Sequence, residues 1–137
     1  MKNRFSIFIF NIIILCFFSC KSENEKKLIG YSNGKYWDLI KIKDYKYYKP
    51  KYSAYFGKNG DYLYYFFNVG DSNNTKERIK YDFGDVIYPE KWFFENDSIV
   101  SIQGFRYRIL KLTNTHFEIQ NLEVPDDIVE YKLSSEQ

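Results

Sequence analysis

The stretch His116-Phe117-Glu118-Ile119-Gln120 decides the fold of this 137-residue chain. Its two apolar residues, Phe117 and Ile119, share one parity, and its three polar residues share the other. Side chains of a β-strand point alternately to its two faces, so the stretch predicts a strand with one face in a core and the other in water. The rest of the chain can be interpreted outward from this strand.

Six further segments toward the N-terminus have the composition of strands, because they are rich in Tyr, Phe, Ile and Val. The seven predicted strands cover residues 36–43, 52–56, 61–68, 77–83, 91–96, 99–112 and 116–122. The short polar stretches at 57–60, 96–98 and 113–115 are suited to tight turns between antiparallel neighbours. No segment after residue 19 has a sustained helical apolar stripe. The sequence therefore predicts an all-β protein built on an antiparallel meander.

Three local features refine this prediction. Segment 61–68 is apolar or amphipathic on both faces, which predicts a strand that is central or lines a cavity. The apolar parity changes within 106–112, which predicts a bulge or a strong bend of the kind that barrels contain. Residues 125–137 are predicted either as a closing strand, because their apolar residues alternate, or as a short helix that begins at Pro125.

The N-terminal segment has the order of an export signal. Lys2 and Arg4 precede an apolar run at 5–18, and Cys20 follows it, after which polar and charged residues begin. The run of 14 residues is shorter than the roughly 20 that a membrane-spanning helix needs. The order resembles the signal of a bacterial lipoprotein, in which a peptidase cuts before the cysteine and lipid chains hold the mature protein to a membrane. An ordinary secretory signal, an uncleaved anchor and a buried core helix are the alternatives.

On the lipoprotein interpretation, residues 1–19 are the signal peptide, Cys20 is lipidated, and 20–27 form a short polar tether. The mature protein then lies in the outer membrane or elsewhere in the cell envelope, on its periplasmic or its surface face. Removal of Lys2 and Arg4 lowers the net charge from +2 to zero. A neutral protein has no overall attraction for nucleic acid, so no nucleic acid partner is expected.

Catalytic signatures are missing from the sequence. It has no Gly-x-Ser-x-Gly elbow, no His-Glu-x-x-His motif and no phosphate-binding glycine loop. His116 is the sole histidine, and we expect it to be solvated rather than catalytic or bound to metal. Two acidic pairs, Asp82 with Asp85 and Asp126 with Asp127, could hydrolyse glycosides if correctly spaced, although hydrated loops are the simpler interpretation. We therefore predict a non-enzymatic protein without metal or cofactor, and keep a carboxylate hydrolase as an alternative.

Several stretches of the sequence together resemble a known family. These stretches are Lys91-Trp92-Phe93-Phe94-Glu95-Asn96, Phe105-Arg106-Tyr107-Arg108-Ile109-Leu110, Phe117-Glu118-Ile119, Tyr52-Ser53-Ala54-Tyr55-Phe56 with Gly60-Asp61-Tyr62, and Leu28-Ile29-Gly30 followed by Trp37. They are similar to the closing half, a hairpin and the opening of the lipocalin-like domains of Bacteroidota lipoproteins. The resemblance implies a small closed or half-open barrel over 28–124, an apolar ligand and no catalytic residues.

Two sets of residues are candidates for binding. The first set is aromatic and forms either a core or a cup for an apolar or sugar-like molecule. Its members are Trp37, Tyr55, Tyr62, Tyr64, Trp92 and Tyr107. The second set is Lys46, Lys49 and Lys51, which could bind anionic lipid headgroups or acidic glycans, or could form a solvated edge that blocks aggregation.

These observations support two main hypotheses about function. The first is a membrane-anchored, non-enzymatic, lipocalin-like protein that binds an apolar or anionic ligand of the envelope. The second is a small envelope protein, such as an inhibitor or an immunity factor for a secreted toxin, whose basic and acidic ends dock a partner protein.

Overall fold

In the part of the chain that the structure describes, the protein is an antiparallel all-β structure with one short helix. The computed structural model describes residues 22–47, 51–69 and 76–135. Helix α1 (Glu23–Ile29) is followed by strands β1 (Gly34–Ile42), β2 (Tyr45–Lys46), β3 (Tyr52–Gly57), β4 (Tyr62–Val69), β5 (Lys76–Lys80), β6 (Trp92–Asn96), β7 (Ile99–Ile102), β8 (Phe105–Leu112), β9 (His116–Asn121) and β10 (Ile128–Leu133). The predicted fold class is confirmed.

The strands form one curled sheet that makes a half-open barrel. Their order across the sheet is β5-β4-β3-β1-β10-β9-β8-β7-β6, and β2 pairs with β1 beside this path. The two sides of the sheet meet at one corner, where Asp61, just before β4, bridges to Lys91, just before β6. There the backbone N–H of Trp92 donates to the carbonyl of Gly60 at 2.8 Å, and that of Tyr62 donates to the carbonyl of Glu90 at 3.1 Å. The edge strands β5 and β6 do not pair with each other in the described ranges, so the sheet stays open between them.

Several predicted details are confirmed and others are wrong. The register shift between Ile109 and Lys111 is the predicted bulge. The C-terminal segment forms strand β10, which inserts between β1 and β9, so the helix alternative is wrong. The single strand predicted at 99–112 is instead a hairpin, because Gln103 and Gly104 both have positive φ angles, of 54° and 85°. Two successive residues with positive φ make a tight hairpin turn. The turn was not predicted because its first residue is a glutamine and not the asparagine, aspartate or glycine that such turns prefer.

The described part of the predicted tether is folded. Ser22 caps helix α1, because its hydroxyl oxygen accepts a hydrogen bond from the backbone N–H of Glu25 at 3.1 Å. Within the helix, Glu23 forms an ion pair with Lys27 at 2.9 Å. The last turn of the helix buries Leu28 and Ile29 completely against the barrel. The prediction of a free tether up to residue 27 is therefore wrong, because a serine cap and two terminal apolar residues suffice to dock one short helix.

The predicted signal peptide and Cys20 lie outside the described residues. Within the described ranges, no helix has the length and apolar character that crossing a bilayer requires.

Helix α1 covers one end of the half-barrel, which we call the helix end. This end contains the start of β1 and the turn at 57–60 between β3 and β4. The core there is built from aromatic rings. Phe56 lies 5.8 Å from both Trp92 and Phe117, between ring centroids, and Trp37 lies 6.0 Å from Phe117. These rings are at most 4% exposed.

The opposite end of the half-barrel, which we call the tyrosine end, contains the turn at 43–44 and the start of β3. The inner face there is lined by half-buried tyrosines, namely Tyr47, Tyr52, Tyr64 and Tyr107. Strand β3 runs the whole way between the two ends, a distance of about 17 Å for its six residues.

Candidate functional site

The predicted aromatic set does not form one site. Trp37, Tyr62 and Trp92 lie in the core, with exposures of 0%, 4% and 4%. Tyr64 and Tyr107 are half-buried on the inner face at the tyrosine end. Tyr55 points to the outer face of the sheet, so the prediction that all six rings share a core or a cup is wrong for this residue.

Trp37 and Trp92 are both buried, and both of their indole N–H groups are hydrogen-bonded to the backbone. The indole Nε1 of Trp37 donates to the carbonyl of Leu28 at 2.8 Å, and that of Trp92 donates to the carbonyl of Gly57 at 3.0 Å. Phe94, which stands next but one to Trp92 in β6, packs against it at 5.6 Å. A buried tryptophan whose N–H already has a partner is a core residue, so these two rings favour the core interpretation.

The outer face carries its own aromatic cluster around Tyr55. The ring of Tyr36 lies 4.9 Å from that of Tyr55 and 5.7 Å from that of Tyr65. The guanidinium of Arg78 lies 4.2 Å above the ring of Tyr36 and donates to the hydroxyl of Ser134 at 2.6 Å. Because Arg78 belongs to the edge strand β5, these contacts tie that strand to the middle of the sheet.

A group of tyrosine hydroxyls lies inside the barrel between the two ends. Tyr62 and Tyr131 are hydrogen-bonded to each other, and burial raises the pKa of both phenols well above their ordinary value. Burial likewise raises the pKa of Tyr64. It raises the pKa of Tyr107 to about 12, with a smaller contribution from the negative charges of Asp127 and Glu123. These groups are therefore neutral hydrogen-bonding phenols and do not act as bases.

Asp127 adds a carboxylate to this interior. Its Oδ1 atom is buried and has no hydrogen-bond partner within the part of the chain that the structure describes. The backbone N–H of Asn121 donates to the carbonyl of Asp127 at 2.9 Å, which closes the loop between β9 and β10.

Beyond these tyrosines, a row of aromatic rings continues out of the barrel. The rings of Tyr52 and Tyr64 are stacked at 5.6 Å, and Tyr81 follows at 5.9 Å from Tyr64. The row then passes through Phe83 and Tyr88 to Phe105, with centroid separations of 4.9, 5.2 and 5.9 Å. Tyr81 and Phe83 are 37% and 36% exposed. The row thus connects the half-buried interior to the surface.

The loop 81–90 carries the outer half of this row. Asp82 shapes it by accepting the backbone N–H of Gly84 at 2.9 Å, and Gly84 has a φ of 66° that favours glycine. An ion pair between Lys80 and Glu90 joins the two ends of the loop. The sequence predicted a strand over 77–83 from its composition, but β5 ends at Lys80 and the aromatic residues that follow belong to this loop.

Two cavities flank Tyr81. The first, the aromatic cleft, has a volume of about 450 Å³ and is lined by Lys51, Tyr52, Phe66, Phe67 and Tyr81. The second, the loop pocket, has a volume of about 470 Å³ and is lined by Lys80, Tyr81, Asp82, Phe83, Val86, Ile87, Tyr88, Glu90 and Gln103. Both volumes fall within the range of small-molecule sites, about 300–1,000 Å³.

Two of the three predicted lysines lie at the end of the barrel that carries the aromatic cleft. Lys51 lines it, and Lys46 is exposed on β2 opposite Lys41. The ring of Tyr47 joins β2 to the cleft, because it lies 6.1 Å from the ring of Tyr52. Lys49 lies outside the described residues. The structure therefore brings two of the three predicted lysines to the same end as the exposed aromatic rings.

The candidate catalytic residues lie apart from the cleft lining. The Nε2 atom of His116 lies 3.3 Å from Oε1 of Glu130. Asp82 is engaged in the turn of its loop, and Asp85 and Asp126 are exposed. Within the described ranges, no cluster of three or more His, Cys, Asp or Glu residues could hold a metal ion.

No family model matches the chain, and no curated protein matches it significantly.

Proposed function

We propose that the chain is a lipid-anchored, non-enzymatic binding protein of the bacterial cell envelope. Its ligand is an amphiphile with an apolar body and an anionic group, and the aromatic cleft is the binding site. The location follows from the N-terminal signal and Cys20, and the choice of ligand follows from the chemistry of the cleft.

The observation that carries the proposal is the set of rings left outside the core at the tyrosine end. Tyr52, Phe66 and Tyr81 form apolar walls around the cleft, and the ammonium-bearing Lys51 stands among them. Apolar walls gain free energy by covering apolar ligand surface, about 25 cal/mol per Å². A lysine at such a site gives a carboxylate or phosphate group a fixed counter-charge.

The lining also favours binding over a reaction. The described residues that line the cleft are one lysine, two tyrosines and two phenylalanines. The lining therefore includes no paired carboxylates of the kind that glycoside hydrolysis requires, nor a histidine to activate a nucleophile.

Displacement of a fluorescent fatty acid from the purified protein tests the site. We expect Tyr81→Ser to weaken binding by about tenfold, because it removes a wall of the cleft, which corresponds to about 1.4 kcal/mol. Lys51→Glu should weaken binding of the fatty acid and leave binding of its uncharged alcohol analogue unchanged. Tyr31→Ser is the matched control, since Tyr31 is 96% exposed and lies outside the cleft. Equal affinities for all variants would contradict the proposal.

The anchor is tested separately. Labelled palmitate should be incorporated into the wild-type protein in cells and should not be incorporated into Cys20→Ala. If the wild type takes up no label, the anchor is wrong, whatever the result for the cleft.

A protein partner is the second candidate function, favoured by the loop pocket. Val86 and Ile87 in its wall are 53% and 94% exposed, and exposed apolar residues beside charged ones are typical of protein-interaction sites. Capture of an envelope protein by the wild type, lost in Ile87→Asp and kept in Lys51→Glu, would support this second function, because Lys51 lines the aromatic cleft and not the loop pocket.

A further inference from the structure

The folded domain begins very close to the proposed lipid attachment. Ser22 is already the cap of helix α1, so Lys21 is the only residue between Cys20 and the fold. Two residue steps span at most about 7 Å of extended chain. The helix itself is held in place, because Leu28 and Ile29 are completely buried and the side-chain amide of Asn24 donates to the carbonyl of Asp97 at 2.9 Å.

A lipid on Cys20 would therefore bring the bilayer against the surface around Ser22. This surface includes a groove of about 350 Å³ between the helix and β6, which Ser22 lines together with Glu25, Lys58, Gly60, Trp92, Phe93 and Phe94. The ring of Phe93 is 56% exposed there. Exposed aromatic rings and lysines are the side chains that favour the interface between water and lipid headgroups.

The lysines around Ser22 also favour contact between this surface and a bilayer. Lys26 and Lys58 are exposed, and Lys21 precedes the cap. Of the two acidic residues in the first turn, Glu23 is paired with Lys27. Lysines at the surface of an anionic leaflet are attracted to it within about a Debye length.

The aromatic cleft lies at the other end of the barrel. Lys51 and Tyr52, which line it, stand at the start of β3, whereas Lys58 follows the end of that strand. The turn residue Asp44 follows the end of β1, whose nine residues extend from Gly34 over about 26 Å.

We infer that the helix end, with Phe93 and Lys58, rests on the lipid bilayer and that the aromatic cleft opens away from it. This inference rests on the lipid anchor proposed above. It means that the cleft receives its ligand from the aqueous side and does not extract it from the leaflet that holds the anchor.

Spin labels on the acylated full-length protein test the orientation. The protein, processed in a bacterial host, is labelled at Phe93→Cys, at Lys58→Cys or at Asp44→Cys and is reconstituted into vesicles of phosphatidylethanolamine and phosphatidylglycerol. We expect labels at 93 and 58 to collide mainly with oxygen, which concentrates in lipid. The label at 44 should collide mainly with a water-soluble nickel complex.

Two other outcomes would overturn the inference in distinguishable ways. If the protein floats with the vesicles while labels at 93 and 58 are as accessible to nickel as the label at 44, the orientation is wrong and the anchor stands. If the mass of the mature protein shows no acyl chain on Cys20, the anchor is wrong and the orientation falls with it. The label at 58 keeps the test decisive if Phe93→Cys fails to fold.

Discussion

The two ends of the half-barrel are built from the same kinds of residue and have opposite properties. At the helix end, Trp37, Phe56, Trp92 and Phe117 are almost completely buried, and both indole N–H groups have backbone partners. At the tyrosine end, the rings are half-buried or exposed and lead outward in a row. The difference lies in what covers each end.

Coverage decides whether an aromatic ring becomes core or surface. A helix of seven residues places two completely buried side chains over the helix end. The open side at the tyrosine end has the loop 81–90, several of whose apolar side chains remain exposed. A sheet that curls without closing therefore has one well-packed end and one end that is available for binding.

High pH should destabilise the fold through the buried tyrosines and not through the tryptophan and phenylalanine rings of the helix end. Burial raises the pKa of the phenols of Tyr62, Tyr64, Tyr107 and Tyr131, whereas tryptophan and phenylalanine rings do not ionise. A raised tyrosine pKa means that the folded state holds its proton to a higher pH than the unfolded chain does. The stability linked to these groups is complete below about pH 10 and is lost as the pH rises toward about 12, the folded pKa of Tyr107. We expect alkaline unfolding in this window.

Parallel measurement of tyrosinate absorbance and circular dichroism checks this prediction. The absorbance of the buried tyrosines should appear together with the loss of sheet signal. Tyr107→Phe removes one of the groups that ionise. The free energy of unfolding of this variant should therefore fall less between neutral pH and about pH 12 than that of the wild type does. Ionisation of all the tyrosines near pH 10 with the sheet intact would contradict the burial of the interior hydroxyls.

Truncation of a ring should cost much more at the helix end than at the tyrosine end. Trp37→Ala removes a completely buried ring and should lower the free energy of unfolding by about 3–5 kcal/mol. Tyr81→Ala, at a ring that is 37% exposed, should lower it by about 1 kcal/mol. Urea unfolding of both variants gives the comparison, and equal losses would mean that the tyrosine end is packed as tightly as the helix end.

The hydroxyl groups of Tyr62 and Tyr131, between the two ends, should make coupled contributions to the free energy of unfolding. Tyr62→Phe leaves the buried hydroxyl of Tyr131 without its partner and should lower the free energy of unfolding by about 1–3 kcal/mol. The double variant with Tyr131→Phe should lose less than the sum of the two single variants, because neither polar group then remains buried alone. Additive losses in a double-mutant cycle would show that the two hydroxyls do not interact.

The cap of the covering helix should have the smallest effect. Ser22→Ala removes the acceptor of the Glu25 backbone N–H and should lower the free energy of unfolding by about 1 kcal/mol. Ser32→Ala is the matched control, since Ser32 is exposed and lies outside the helix. An equal and negligible effect of both substitutions on thermal unfolding would mean that the cap does not contribute to the coverage of this end.

The sequence by itself determined the fold class, most of the strands and the bulge in β8. These features depend on local alternation, since a strand that packs on one side must repeat with a period of two residues. The same pattern could not reveal the turn at Gln103 and Gly104, where backbone geometry and not composition reverses the chain.

Only the tertiary structure decided which aromatic rings became core, cleft or outer face. Trp37, Tyr55 and Tyr81 all belong to stretches with the composition of strands, and alternation assigns a side chain to a face without stating what will cover that face. Coverage depends on contacts between segments far apart in the sequence, such as α1 with β3 and the loop 81–90 with β4. The candidate binding site exists because that coverage is complete at one end of the barrel and partial at the other.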